Sequence, residues 1–213
     1  MENTNTFKVQ STSSNLISLN VTPGHYATSS SHINYYIDMT SLKSRRSEAH
    51  AAAKVLATRY AATTIIDTIV CLDGTNVIGA YLADELLNTG ILSANLHNTA
   101  YIISPEQHSG GQLIFRENYL SMIKGKHVLV LLATATTGKT LQTALECIEY
   151  YGGVVGVSSI FSAADEIHDE QINTIFRTED IPNYETHSAA DCPLCKAGIP
   201  IKGIINSHGY SSL

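Results

Sequence analysis

Cysteine is scarce in this chain, basic charge is scarcer than acidic, and long apolar runs are missing altogether. Each shortage removes a class of protein. Four cysteines (Cys71, Cys147, Cys192, Cys195) in 213 residues are too few for a disulfide scaffold of this size. Lys and Arg number 13 against 19 Asp and Glu, a formal charge of -6. Binding to nucleic acid through counterion release needs clustered Lys and Arg. The only local basic cluster is Lys43, Arg45 and Arg46, so no nucleic-acid partner is expected. No segment approaches the roughly 18–20 uninterrupted apolar residues of a membrane span, so no membrane is expected either. The first thirty residues are rich in Ser, Thr and Asn and lack the charged-then-apolar start of a secretory signal. Cytoplasmic residence is the expectation. Internal repeats are absent, and the nine histidines form no HxxxH or HExxH pair.

What remains is a chain with 44% hydrophobic and 15% charged residues, a composition that suits one globular domain with a substantial core, perhaps with a small appendage. "HINYYIDM" (32–39) is aromatic and β-branched, and reads as a strand. "SEAHAAAKVLATRYAA" (47–62) puts Ala52, Val55, Leu56 and Tyr60 on one helical face. "TTIIDTIVCL" (63–72) reads as a strand, followed by the turn "DGT" and a helix over 76–90 that stops at Asn88–Gly90. "ANLHNTAYII" (94–103) suggests another strand, and 104–126 a long loop of the kind that is usually functional or disordered. "HVLVLLA" (127–133) and "VVGVSSIF" (154–161) are strands of the type buried on both faces. Between them, 140–153 has helical spacing and ends at Gly152–Gly153. This alternation predicts an α/β fold with a mainly parallel sheet. In such sheets ligands sit at the carboxyl ends of the strands, so the turns at 73–75 and 134–139 should open into one crevice. The tail from about 162 reads as a small irregular cap, or a last strand and helix.

"VLVLLATATTGKT" (128–140) fits two phosphate-binding designs. One is a relaxed Walker A loop, with Ala133 in place of the first glycine and then Gly138, Lys139 and Thr140. The other is a loop that holds a ribose 5′-phosphate. Either way, backbone N–H groups at a helix start form an anion site, with Gly138 permitting close approach. Thr136, Thr137 and Thr140 can add hydroxyls. A threonine-rich helix cap with an exposed lysine is the bland alternative.

The surrounding chain resembles the type I phosphoribosyltransferases. From Val128 to Phe161, strand, loop, helix and "VVGV" strand follow the family's VLVVDDVITTGGT pattern. "SSSHINYYIDM" resembles the KSGRxSPYYFDxR hood segment of the orotate phosphoribosyltransferase branch. "VCLDGTNVIGAYLA" sits where the family has its pyrophosphate loop, and "SGGQLIFRENYLSMIKGKHVLV" where it has a mobile loop and lead-in strand. The resemblance covers roughly residues 25 to 165. It implies a mainly parallel sheet flanked by helices under a small hood or cap. Residues 1–30 would form a polar N-terminal segment and part of the hood, 31–165 the core, and 166–213 a C-terminal cap. It further implies transfer of phosphoribosyl from Mg²⁺-PRPP to a nucleobase, an orotate-like pyrimidine, with release of pyrophosphate, by a homodimer. Thr136, Thr137, Gly138, Lys139 and Thr140 would hold the 5′-phosphate, and Asp73, Gly74 and Thr75 would face the pyrophosphate. Tyr35 and Tyr36 are candidates to stack on a base, against the alternative that they simply pack. A true P-loop NTPase would need an early motif strand and a later strand ending in a magnesium-binding aspartate, whereas "VVGVSSIFS" ends in serine.

Four positions depart from the family pattern, and each loses a charge. Where the family has an acidic pair that binds the ribose hydroxyls, this chain has Leu132 and Ala133. The pyrophosphate turn has Asp73 instead of a basic residue. "ISPEQHSGG" replaces a basic mobile-loop cluster, and Thr28 stands at the hood lysine position. Two readings stay open: an enzyme that draws positive charge from Lys139 and from Arg116, Lys124 or Lys126, or a module that binds PRPP or a nucleoside monophosphate without transfer. No general base stands out.

Outside that region, "HSAADCPLC" spaces His187, Cys192 and Cys195, with His208 downstream. Two thiolates and two imidazoles would complete a tetrahedral zinc site. Packed cysteines or a redox-labile dithiol are the alternatives. "TSLKSRR" reads as a solvated helix approach or part of a dimer contact.

Overall fold

The computed structural model describes residues 5–88, 93–96, 99–107, 112–167, 169–206 and 209–213, without the side chain of Thr140. Three strands come first: β1 (Phe7–Gln10), β2 (Ser18–Ala27) and β3 (His32–Asp38). Helices α1 (Thr40–Ser44) and α2 (Arg46–Ala57) follow, then β4 (Thr68–Cys71) and α3 (Asn76–Asn88). The middle of the chain carries β5 (Tyr101–Ile103), the short strands β6 (Glu106–Gln107) and β7 (Leu113–Ile114), and α4 (Glu117–Ile123). Next are β8 (His127–Ala135), α5 (Lys139–Glu149) and β9 (Gly153–Ser162). The last part holds β10 (Glu166–Ile167), β11 (Glu170–Arg177), β12 (Thr186–His187), α6 (Pro193–Lys196), β13 (Gly203–Asn206) and β14 (Gly209–Ser212).

Two six-stranded sheets organise these elements. The core sheet runs β10-β11-β9-β8-β4-β5. Its five strands from β11 to β5 are parallel, and β10 is an antiparallel edge. The hood sheet runs β12-β3-β2-β13-β14, with β1 also paired to β2. The alternation of strands and helices thus gives the expected α/β architecture.

The core sheet is covered on both faces, which explains the continuous apolar runs of its central strands. Along β8, Leu129, Leu131 and Ala133 point into one cluster and Val128, Val130 and Leu132 into the other. The first cluster is filled by Ala52, Ala53 and Leu56 of α2, Ile78, Leu82 and Leu86 of α3, and Leu19 and Val21 of the hood. The second is filled by Ile123 of α4 and Leu141, Ala144, Leu145 and Ile148 of α5. The hood therefore shares a core with one face of the sheet.

Several segments differ from the sequence expectation. The polar N-terminal stretch folds into β1 and β2 because Val9, Ile17, Leu19 and Val21, spaced among its hydroxyl residues, are buried. The supposed loop at 104–126 contains the antiparallel pair β6–β7 and helix α4. Burial of Leu113, Phe115 and Ile123 anchors it, and Arg116 grips both carboxylate oxygens of Glu106 at its base. The strand expected over 94–103 is confined to Tyr101–Ile103; residues 97–98 lie outside those described. The tail is divided between the two sheets. β11, with Ile172 and Phe176 buried, pairs parallel with β9, whereas β12, β13 and β14 complete the hood.

Leu131 has no solvent exposure and lies in the middle of the core sheet. Leu131→Ala should destabilise the protein by about 2–5 kcal/mol, measurable as a lower midpoint in urea unfolding.

Candidate functional site

The carboxyl ends of β4 and β8 and the underside of the hood enclose a cleft of about 450 Å³. Its floor is the turn from Thr134 to Lys139. β8 ends here because its register with β9 ends at Ala135↔Ser162. The Ala163 N–H donates to the Ala135 carbonyl at 2.8 Å, and Ser162 Oγ donates to the same oxygen at 3.3 Å. Gly138 caps α5 in a left-handed conformation, φ 73°. A Cβ at this position would also lie 2.8 Å from Cγ2 of Ile167. The Gly138 carbonyl accepts the first helical bond, from the Gln142 N–H at 2.7 Å. The N-terminus of this eleven-residue helix therefore faces the cleft, with its unpaired N–H groups and the positive end of its dipole.

Thr136, Thr137, Gly138 and Lys139 all line the cleft, and Thr137 and Lys139 are exposed. Thr140 is the second residue of α5; its side chain lies outside those described. The hood closes from above through Thr28, Ser29 and Ser30. Ser30 Oγ reaches Thr137 Oγ1 at 3.3 Å, a contact between hood and loop. Tyr36 lines the cleft as well and forms a trio with Tyr26 and Tyr210, with ring centroids 5.3–6.1 Å apart. Tyr35 points to the other face of β3, as strand alternation requires. There it meets Phe7 edge-on at 5.9 Å.

The β4–α3 turn sits beside the loop. Asp73 lines the cleft, in a left-handed conformation with φ 54°. Its carboxylate lies against the backbone of Ala133 and Thr134, close to the end of β8. Burial raises its pKa above the ordinary 3.8, and that backbone and the nearby Lys43 ammonium pull it partly back. Thr75 is fully buried, and its hydroxyl donates to the carbonyls of Leu72 (2.8 Å) and Leu131 (3.1 Å). That hydroxyl ties the two turns together. Gly74 and Thr75 are not among the cleft-lining residues.

Lys43 has a place in the cleft that its sequence context concealed. It stands in α1, within the stretch expected to be a solvated approach, yet it lines the cleft, and its Nζ donates to the Asp73 carbonyl at 2.8 Å. Burial lowers its pKa, opposed by Asp73 and Asp38. Its only sequence signal was proximity to the hood strand. Arg116, Lys124 and Lys126, the alternative sources of positive charge, do not line the cleft. Leu132 and Ala133 are buried in opposite clusters, so the end of β8 offers a ligand backbone and hydroxyl groups but no carboxylate.

The proposed zinc ligands are arranged differently from the expectation. His187, on β12, pairs with Glu185 at 3.1 Å, and His208 lies outside the described residues. Cys192 and Cys195 instead meet His25 and His32 of the hood. Sequence spacing could not reveal this, because the two histidines precede the cysteines by more than 150 residues.

No protein-family model matches the chain. An orotate phosphoribosyltransferase of Caldanaerobacter subterraneus subsp. tengcongensis is 34% identical over 79 residues, 37% of this chain and 40% of that relative. The chain thus matches about two-fifths of the length of this curated relative. Among solved structures, a Mycobacterium tuberculosis orotate phosphoribosyltransferase in complex with Fe(III) dicitrate superposes with a TM-score of 0.51. It is 18% identical, and the match covers 77% of this chain and 93% of that one. An adenine phosphoribosyltransferase from Leishmania donovani also gives 0.51, at 17% identity over 83% and 89% of the two chains. The fold is that of the type I phosphoribosyltransferases. The partial sequence match, to an orotate phosphoribosyltransferase, points in the same direction. No helix among the described residues is long and apolar enough to cross a membrane.

Two outcomes follow from this geometry. Gly138→Ala forces a left-handed residue to carry a Cβ at a cost of roughly 1–2 kcal/mol, a Tm decrease of about 2–8 °C, which differential scanning calorimetry would detect. For Asp73 the folded pKa lies above the unfolded value of 3.8. Its contribution to stability is therefore greatest below the unfolded value and falls as pH rises through the folded value. Asp73→Asn should accordingly gain in Tm relative to wild type as pH is raised from about 3 to about 7.

Proposed function

We propose that the cleft binds PRPP by its 5′-phosphate and transfers phosphoribosyl to an orotate-like pyrimidine, releasing pyrophosphate. The observation that carries this reading is the β8–α5 turn: a glycine-capped helix start with three flanking hydroxyl residues, opening into a cleft roofed by hood hydroxyls. Thr136, Thr137, Gly138, Lys139 and Thr140 would hold the 5′-phosphate, supplying N–H and hydroxyl donors and one cation. Asp73, at the neighbouring turn, marks the pyrophosphate side, where Gly74 and Thr75 act by shaping the turn. Tyr36 offers an aromatic face to the incoming base.

In the reaction, the bond from C1 of the ribose to the pyrophosphate oxygen breaks with its electron pair, a ring nitrogen of the base bonds to C1, and the proton of that nitrogen is released to solvent. Charge builds on the departing pyrophosphate, so a fixed cation facing it lowers the barrier. Lys43 is placed for that role beside Asp73. Magnesium enters on this reading as part of the Mg²⁺-PRPP substrate. Protein-held magnesium needs oxygen ligands, usually carboxylates. Among the described residues Asp73 is the only carboxylate lining the cleft. The residues do not form a resident magnesium site, and no step is assigned to one. Among the described residues the cleft lining contains no histidine, and this reading names no general base. A homodimer in the cytoplasm belongs to the same reading.

The apolar pair Leu132 and Ala133 favours a second reading, a non-catalytic module that binds PRPP or a nucleoside monophosphate. One experiment separates the two. Pyrophosphate release from Mg²⁺-PRPP is measured with orotate, uracil, adenine, guanine, hypoxanthine and xanthine, alongside a thermal-shift titration with PRPP. Release with orotate supports transfer. A Tm rise with PRPP but no release with any base leaves the binding module. ATP turnover without a PRPP response would restore the P-loop reading. Lys139→Ala should weaken PRPP binding about tenfold, the worth of one charge-assisted contact; an unchanged Kd by calorimetry would remove the loop from the site.

A further inference from the structure

Four side chains from three separate segments converge beneath the hood. His25 lies on β2, His32 begins β3, and Cys192 and Cys195 flank the first turn of α6. One nitrogen or sulfur atom from each lies within 4.8 Å of all the others. His25 Nε2 is 3.1 Å from His32 Nδ1, 3.5 Å from Cys192 Sγ and 3.7 Å from Cys195 Sγ. Cys195 Sγ is 3.3 Å from His32 Nδ1.

We propose that His25 Nε2, His32 Nδ1, Cys192 Sγ and Cys195 Sγ bind one structural zinc ion. The distances fit the edges of a single coordination tetrahedron. Zinc–nitrogen bonds of about 2.0–2.1 Å and zinc–sulfur bonds of about 2.3 Å place tetrahedral ligands ~3.4 Å apart for N···N, ~3.5 Å for N···S and ~3.8 Å for S···S. Three of the four N···S separations, 3.3–3.7 Å, bracket the expected value, and the fourth lies within 4.8 Å. The donor chemistry also fits, since two thiolates and two neutral imidazoles around Zn²⁺ sum to zero charge. A neutral cluster can be buried, and His25 and Cys192 are each only 1% exposed.

The orientation of His25 is fixed from outside the cluster. Its Nδ1 lies 2.8 Å from the Ile199 carbonyl, so the ring donates there and leaves the Nε2 lone pair directed at the other three ligands. Metal-bound histidines are held in this way by a partner on the second nitrogen. The cysteines are kept in register by their own turn. The Lys196 N–H donates to the Cys192 carbonyl at 3.1 Å, the Gly198 N–H donates to the Cys195 carbonyl at 3.0 Å, and Pro193 starts the helix between them. All four cysteines are free thiols, so both ligand sulfurs are available for deprotonation and binding.

The site would have a structural effect near the cleft. His25 and His32 bracket the Thr28–Ser31 turn, whose Ser29 and Ser30 line the cleft and whose Ser30 touches Thr137. Zinc would fasten the segment around α6 to both strands of that hairpin. Its role is to hold the hood in shape, independently of which ligand the cleft takes.

The test uses the full chain, purified without chelator or affinity metal. Elemental analysis should find about one zinc per chain. Removal with a strong chelator should lower Tm, and zinc added back should restore it. Replacement by Co²⁺ should give the visible bands of tetrahedral cobalt together with thiolate-to-cobalt charge transfer. Cys195→Ser and His32→Ala should each lose most of the bound metal, whereas His187→Ala should retain it. The cobalt spectrum of the wild type needs no variant and stands even where a ligand variant misfolds. Wild-type protein that holds well under one equivalent after incubation with excess Zn²⁺ overturns the proposal. So does a cobalt spectrum without charge-transfer bands, or metal retained in full by both ligand variants.

Discussion

From Val128 to Ala133, strand β8 has water on neither face, and most of the candidate site depends on that constraint. A strand buried on both sides must be apolar along its whole length, and from Val128 to Ala133 it is. Polar groups can appear only where the strand leaves the core, at Thr134 and beyond. The parallel order sets the neighbouring β4 turn beside that exit. The Thr75 hydroxyl, donating to Leu131 in the middle of β8, keeps the two turns at a fixed spacing. Floor, wall and helix dipole of the cleft are therefore positioned by one strand and its hydrogen bonds.

The described lining of the cleft carries few charges. Its lining includes two lysines, Lys43 and Lys139, and one aspartate. The remaining donors are hydroxyls and backbone N–H groups. Dipoles held rigidly can stabilise an anion without the desolvation cost of many buried cations. The Asp73 carboxylate is buried against the backbone of Ala133 and Thr134. Where the family pattern has two acids at this strand end, the described lining has one, on the adjacent turn.

Much of the core was legible because its signals are local. The runs at 127–133 and 154–161, the glycine at 138 and the helical spacing after it each reflect the environment of a few consecutive residues. The hood was less legible. β1 and β2 are half-buried strands whose apolar residues are separated by serines, threonines and asparagines, so their composition resembles that of a loop. α4 was hidden by the glycines and proline upstream of it. The division of the tail between two sheets depends on contacts with partners far away in sequence, which no window can detect. The same reason accounts for Lys43, whose role comes from where α1 is placed over the β4 turn. It also accounts for the histidine partners of Cys192 and Cys195.

The parallel pairing of β13 with β2, Gly203 opposite Tyr26, joins some of the most distant segments of the chain. Such a contact must close a very long loop before it contributes any stability, and topologies of this kind fold slowly. The core sheet can assemble from neighbouring strand–helix units without it. A nascent chain would therefore present a formed β8–α5 turn under an unfinished hood, and the hood would be completed only when its last strands have been made.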